Sequence, residues 1–425
     1  MKLENVKGTR DFPPEEKIVR NSIIDILKNI FERYGFNPLE TPVLESWELL
    51  TAKGGVGESS DTFNEMYRLQ DQGGRKLGLR YELTLSLARF VAMNPTMKMP
   101  FKRYEIGSVY RDGPIKLGRY REFTQCDVDT IGVSGMAADA ECILLARSAF
   151  QELKMPVTIE LNNRKLLFAI MQFADIPESK QLPAIMSIDK LKKIGKDGVQ
   201  DELEKLGIEE SAIAKILSAF SVSGTNEEKV SMLKGIITNE QGKAGLQEIR
   251  EVLALVNGDD IVFNPALARG LGYYTGTVFE GFLDDSEIKG SVCGGGRYDG
   301  MIGMLGNKPY PAVGIAFGVE PIIEAVKLQA KQLQKSVVKA YVIPIKNFLE
   351  ALQIAQELRA AGITTDIDLQ GRGISKNLDY ANAMGIPFAV IAGPEELAQG
   401  KVKVKNMTSG EEATVSRTAI TETLR

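Results

Sequence analysis

Apolar residues at Val19, Ile23, Ile26, Leu27, Ile30, Phe31 and Tyr34 recur at three- and four-residue steps, which predicts a helix with one core-facing side. The turn-forming run Asp11-Phe12-Pro13-Pro14 precedes it, and Gly35 follows as a C-cap. Phe36 to Leu50 reads as extended chain running towards a helix. Pro42, with no N–H to donate, suits a sheet edge or an interface there. Gly73 to Leu79 reads as a turn and a strand, and a helix begins at Thr84 and runs to about Met93. A Thr or Glu at such a start also serves as a plain capping residue.

Between Phe101 and Thr130 the pattern changes to two strands closed by a polar loop. Side chains alternate faces along a strand, so Arg119, Arg121, Phe123, Gln125, Asp127 and Asp129 share one surface. At about 3.3 Å per residue that surface spans roughly 33 Å. Burying it completely would leave several charges unpaired, so it is expected to line a polar cleft. A solvated sheet face with internal ion pairs is the alternative.

From about Lys165 to Val256 the texture is charged and helix-rich, and we read this stretch as a helical insertion. Strand-like sequence returns from Leu267 to Glu280, followed by the glycine patch Gly294-Gly295-Gly296-Arg297-Tyr298-Asp299-Gly300. Ile323 to Lys335 reads as a helix passing into a linker. The pattern then restarts as strand (338–344), helix (348–361), strand (364–369), helix (374–384) and strand (388–392), which implies a small α/β domain with a largely parallel sheet. The expected division is 1–325 with an insertion at 165–256, a linker at 326–336, and a second domain at 337–425.

Composition narrows the chemistry more than the class. The 425 residues, 44% hydrophobic and 25% charged, describe an ordinary globular chain of two or three domains. A net charge of −4 argues against coating nucleic acid by bulk charge but leaves a local site open. The last domain carries ten basic against ten acidic residues, so bulk electrostatics say nothing about its ligand. Cys126, Cys142 and Cys293 are far apart and form no CxxC pair, which fits a reduced, cytoplasmic setting. No apolar run reaches the roughly 20 residues of a membrane span. There is no histidine at all, which removes Ser-His-Asp triads, histidine-ligated metals and imidazole bases together.

Neither GxxxxGK[ST] nor a GxGxxG following a strand occurs. Arginines instead recur in three glycine-containing stretches, as Arg111 with Arg119 and Arg121, then Arg269, then Arg297. Guanidinium groups match phosphate oxygens, and alongside Phe123 they suit a purine nucleotide. Glu82, Gln125 and Asp129 suit a small amine-bearing molecule. Structural ion pairs are the alternative for any one of these residues.

These stretches resemble the motifs of class II aminoacyl-tRNA synthetases, and specifically of the histidyl-tRNA synthetases. The resemblance rests on Lys7-Gly8-Thr9-Arg10-Asp11-Phe12, on Tyr110-Arg111 through Gly118-Arg119-Tyr120-Arg121-Glu122-Phe123 to Gln125, on Arg269-Gly270-Leu271 with Tyr273-Tyr274-Thr275-Gly276, and on Gly295-Gly296-Arg297-Tyr298-Asp299. It covers essentially the whole chain. It implies an α+β class II catalytic domain, an antiparallel sheet with flanking helices, interrupted by the helical insertion and followed by an α/β anticodon-binding domain. It further implies histidyl-adenylate formation from histidine and ATP with Mg2+, transfer to tRNA(His), and a homodimer joined through the Pro42 segment. By the same likeness Arg111 and Arg269 act on the α-phosphate. Arg111, Asp112, Arg119, Phe123 and Arg297 bind ATP. Glu82, Thr84, Gln125, Asp129, Tyr273, Tyr274 and Tyr298 bind histidine together with Arg111 and Arg269.

Three positions depart from the family pattern. Gly272 stands where an aspartate is usual, Pro321 where motif 3 usually carries an arginine for the ATP tail, and Gly113 where an acidic residue is usual, with Asp112 one place early. Pro321 puts the γ-phosphate contact in question, and Arg297 or a lysine would have to compensate. A synthetase-like regulatory subunit of histidine biosynthesis is therefore the second reading. A plain RNA-binding module is the third, and it leaves Glu82, Gln125 and Asp129 unexplained.

Overall fold

The computed structural model describes residues 2–52, 61–115, 120–269, 273–306, 308–329 and 333–424. The chain forms two compact units, one of residues 1–10 and 23–328, the other of residues 11–22 and 329–425. Arg119, Gly270, Leu271 and Gly272 lie outside the described residues.

The first unit is built on an eight-stranded sheet. Its strands are β1 (Asn37–Pro38), β2 (Phe101–Tyr110), β3 (Glu122–Ile131), β4 (Val157–Asn163), β5 (Ile261–Phe263), β6 (Thr277–Leu283), β7 (Cys293–Arg297) and β8 (Ala312–Gly318). They lie in the order β1-β2-β3-β8-β7-β6-β4-β5. Only the edge pairs β1/β2 and β4/β5 are parallel, and the six central strands are antiparallel. The expected strand from Leu267 to Glu280 is confined to its end, because β6 begins at Thr277. A separate three-stranded sheet joins Leu44–Ser46, Lys76–Leu79 and Arg68–Gln70.

The helix Pro14–Arg33 turns Ile23, Leu27, Ile30 and Phe31 inward, and Gly35 follows at φ +77° in the left-handed region. The Phe31 ring packs 5.6 Å from Tyr104 and 5.4 Å from Phe317, which ties this helix to β2 and β8. Six helices fill the insertion, from Arg164–Phe173 to Glu240–Val256. One of them, Asn226–Ile236, starts with a capping box in which Thr225 and Glu228 satisfy each other's backbone N–H groups.

β8 is the strand that makes room for a site. Its residues Ala312, Gly314, Ala316 and Gly318 point to one face, and Val313, Ile315 and Phe317 enter the core on the other. Across the ladder Gly314 pairs with Asp129, Ala316 with Asp127 and Gly318 with Gln125. A row of side chains that end at Cβ or before it therefore leaves a hollow over the polar face of β3.

The second unit is a five-stranded sheet in the order Thr365–Ile367, Ala340–Pro344, Phe388–Ala392, Lys401–Asn406, Glu412–Ser416. The first three strands are parallel, as expected. The last two form an antiparallel hairpin, so the sheet is mixed rather than largely parallel. Ala340 and Val342 pack into one apolar cluster and Tyr341 and Ile343 into another, so both faces of the strand Ala340–Pro344 are covered.

Candidate active site

One polar face of the β2/β3 hairpin is assembled by register. Arg103 pairs with Asp129, Glu105 with Asp127, and Gly107 with Gln125. Asp127 and Asp129 are buried, and Arg103 is fully inaccessible. The inner half of the face is thus neither open cleft nor solvated surface. It is a buried charged cluster whose cation comes from the partner strand. Arg103 Nη2 stands 2.7 Å from Asp129 Oδ2, and Nη1 stands 3.7 Å from Glu105 Oε2. Glu105 is shared with Arg80, whose Nη1 donates to Glu105 Oε1 at 2.9 Å and to the Thr41 carbonyl at 2.7 Å.

Glu82 joins this cluster from the turn before the helix Thr84–Met93. Its Oε1 is buried without a protein hydrogen bond. Burial pushes its carboxyl up to about 7, the Leu85 N–H works against that rise, and the Asp129 charge adds to it. Burial also raises Asp127 and Asp129, with Arg103 opposing the rise in both. Burial acts to lower Arg103, but Asp129, Asp127 and Glu105 outweigh it, and its net shift is upward. Four carboxyl groups here face two buried guanidinium groups, so the cluster has acceptor capacity for a cationic amine. Gln125 Oε1, likewise buried without a partner, faces the same need.

Three tyrosines close this end. Tyr298 donates its hydroxyl hydrogen to Asp129 Oδ1. The Tyr273 ring lies 4.8 Å from Tyr274 and 6.1 Å from Tyr298. Gly314 is required here, because a Cβ on it would lie 2.0 Å from Asp129 Oδ1.

A cleft of roughly 950 Å3 adjoins the cluster, and Gln125 belongs to both. Arg111, Phe123 and Arg269 line it, as do Lys192 and Lys193 from the insertion and Glu320 and Pro321 after β8. The Arg111 guanidinium sits 4.1 Å over the Phe123 ring. Arg269 Nη1 donates to the Phe279 carbonyl at 3.2 Å and lies 3.5 Å from Glu280.

The structure therefore brings Arg111, Phe123, Gln125 and Arg269 to one cleft, and gathers Glu82, Gln125, Asp129, Tyr273, Tyr274 and Tyr298 around one buried cluster. Thr84 is buried as the first residue of its helix, whose N-cap is Leu83 and which has no side-chain cap bond. Asp112 is exposed and ion-paired to Arg121 at 3.0 Å. The expectation for Arg297 needs correction. Its guanidinium is buried against Asp139, donates to the Val133 and Gly135 carbonyls, and lies 3.2 Å from Asp299, so its donors are spent on structure.

Sequence reasoning missed Arg103, Glu105, Lys192 and Lys193. The signal for the first two was present, since Arg103 and Glu105 are spaced two apart on the strand that pairs with β3. The two lysines carried no signal, because an insertion helix reaches the cleft only through tertiary packing.

Residues 8–322 match the family model described as histidyl-tRNA synthetase, and residues 339–425 match the anticodon binding domain. Histidine--tRNA ligase 1 of Bacillus cereus is 43% identical over 98% of this chain and 95% of its own length. The crystal structure of histidyl-tRNA synthetase from Nostoc sp. PCC 7120 superposes with a TM-score of 0.90 at 30% identity, covering 100% of this chain and 99% of that one. An ATP phosphoribosyltransferase regulatory subunit/histidyl-tRNA synthetase from Bacillus halodurans shares the fold, with a TM-score of 0.75 at 24% identity over 89% of this chain and 97% of that one. Matched from end to end, and carrying an acid-rich cluster beside an arginine-lined cleft, the chain belongs to the histidyl-tRNA synthetase family.

Proposed function

We propose that this enzyme joins histidine to ATP and then passes the histidyl group to tRNA(His). In the first step a carboxylate oxygen of histidine attacks the α-phosphorus, the bond to the leaving pyrophosphate breaks, and histidyl-adenylate forms. In the second a hydroxyl of the terminal tRNA ribose attacks the activated carbonyl, loses its proton and displaces AMP. The observation that carries this reading is the continuity of the two ends of the site through Gln125, which belongs to both the acid-rich cluster and the arginine-lined cleft.

Glu82, Gln125 and Asp129 receive the ammonium group of histidine, and the tyrosines flank its imidazole. Arg111 and Arg269 hold the α-phosphate and stabilise the charge that grows on its oxygens. Phe123 offers a ring face to adenine. Neither step calls for an enzyme nucleophile or an imidazole base, so a chain without histidine can perform both. Bound with the ATP phosphates, Mg2+ would neutralise part of their charge. Glu280, the carboxylate beside Arg269 in the cleft wall, would offer such an ion a hard oxygen ligand.

The segment 339–425 of the second unit reads the anticodon of the tRNA. Segment 37–46 joins two copies into a homodimer, with exposed Val43 and Leu44 as its apolar contact. The enzyme works in the cytoplasm, where its substrates are. Among the described residues, no helix is long and apolar enough to cross a membrane.

The regulatory reading, which Pro321 keeps open, has less support, because the match to histidine--tRNA ligases runs through both units. Histidine-dependent exchange of labelled pyrophosphate into ATP separates the two, followed by charging of tRNA(His). Exchange that disappears in Arg269→Ala is expected. A folded protein that binds histidine and exchanges no pyrophosphate belongs to the regulatory class.

A further inference from the structure

The triphosphate of ATP needs cations along its whole length, and position 321, where the family resemblance places an arginine for the tail, is a proline in this chain. Of the compensating groups expected from sequence, Arg297 and Lys192 are engaged elsewhere, and Lys193 and Lys289 supply further cations along the cleft. Arg297 is spent on Asp139. Lys192 stands in the cleft wall but is paired to Glu160 at 2.7 Å and lies 3.9 Å over the Phe282 ring.

An arginine from the other end of the unit's sequence arrives at this place. The Arg10 guanidinium is ion-paired to Glu320, the residue directly before Pro321, and stacks 3.9 Å over the Tyr120 ring. Tyr120, Glu320 and Pro321 all line the cleft. The side chain of Arg10 is 24% exposed and that of Glu320 is 9% exposed, so Arg10 keeps some solvent access while it is held against two cleft-lining residues.

The backbone that delivers Arg10 is fastened to the nucleotide-binding hairpin. The Arg121 N–H donates to the Gly8 carbonyl at 2.9 Å. Gly8 sits at φ +88°, and a Cβ there would lie 2.6 Å from Arg121 Cγ, so the approach depends on glycine. Stacking on Tyr120 fixes the plane of the guanidinium, and Glu320 fixes its rotation. A planar group held in that way loses little freedom on meeting a phosphate. It also cancels the repulsion that the Glu320 carboxylate would exert on a polyphosphate.

We propose that Arg10 takes over the ATP-tail contact that Pro321 cannot make, binding the β- or γ-phosphate oxygens from the N-terminal segment. The inference rests on the adenylating reading above, and wild-type exchange activity tests that reading separately. With wild type active, Arg10→Ala should raise the KM for ATP in pyrophosphate exchange by about ten- to a hundredfold, the range of one charge-assisted hydrogen bond. The KM for histidine and the affinity for AMP, which has no β- or γ-phosphate, should stay near wild type. Adding Pro321→Arg to Arg10→Ala should restore the KM for ATP. A structural role alone would weaken ATP, AMP and histidine together and would not respond to Pro321→Arg, and that result overturns the proposal. Arg10→Lys guards against a failure of Arg10→Ala to fold. It should keep the melting temperature and give an intermediate KM for ATP, and a KM equal to that of wild type overturns the proposal as well.

Discussion

Arg269 and Gly294 compete for one volume: a Cβ on Gly294 would lie 1.7 Å from Arg269 Nη1. The glycine of β7 is therefore what allows the arginine to lie flat against the sheet and reach the cleft. Gly294→Ala should displace the guanidinium while the strand, already paired on both sides, stays folded. Loss of one preorganised charge-stabilising group lowers turnover by roughly 10²- to 10³-fold. Pyrophosphate exchange and thermal melting on the same preparation check this. Unchanged turnover would mean that Arg269 does no work at the α-phosphate.

The ion pair between Asp139 and Arg297 is a statement about stability. Both side chains are almost inaccessible, and burial raises Asp139 while Arg297 opposes the rise. Asp139→Asn leaves a buried cation short of its counter-charge and should cost on the order of 3–5 kcal/mol. Replacing both residues by apolar ones of similar volume, Asp139→Leu with Arg297→Met, should recover most of that loss. Denaturant titration measures both. A double variant that is stable yet shows a raised KM for ATP would return Arg297 to the nucleotide site.

Phe123 carries a prediction that touches only the nucleotide. One face of its ring is covered by Arg111. Phe123→Ala should raise the KM for ATP about 5- to 100-fold, the usual range for one base–aromatic stack, and leave the KM for histidine nearly unchanged. Equal effects on both constants would place the ring in general packing.

Glu82 gives the pH dependence. Its carboxyl is raised by burial from 4.5 in the unfolded chain to about 7 in the folded one. A raised carboxyl is most favourable to folding while protonated, so its contribution is intact below pH 4.5 and is lost as pH rises through about 7. Glu82→Gln, which stays neutral, should melt about 1–3 °C above wild type at pH 8 without ligand, and the difference should shrink as pH falls and vanish below pH 4.5. The same variant should bind histidine more weakly at pH 8, since it offers the ammonium no charge.

The helix Pro14–Arg33, the helix Thr84–Met93, the two strands of the central hairpin and the alternating elements of the second unit were legible from apolar spacing, capping residues and glycines, which act locally. The motif residues Arg111, Phe123, Gln125 and Asp129 were legible too, because alternation along one strand already places three of them on one face. The missing members belong to other strands or helices. Arg103 meets Asp129 through the β2/β3 register, and Gly314 and Ala316 hollow the site through the β3/β8 register. Lys193 reaches the cleft from the insertion, and Arg10 reaches Glu320 across 310 residues of chain. Sequence by itself determined which residues have the chemistry to handle an amine and a phosphate, since that depends only on side-chain type and local period. Tertiary structure decided which arginines are available to do so. Arg297 and Arg10 look alike in the sequence, and only packing reveals that Asp139 holds one in the interior while the other is held by Glu320 and Tyr120, which line the cleft.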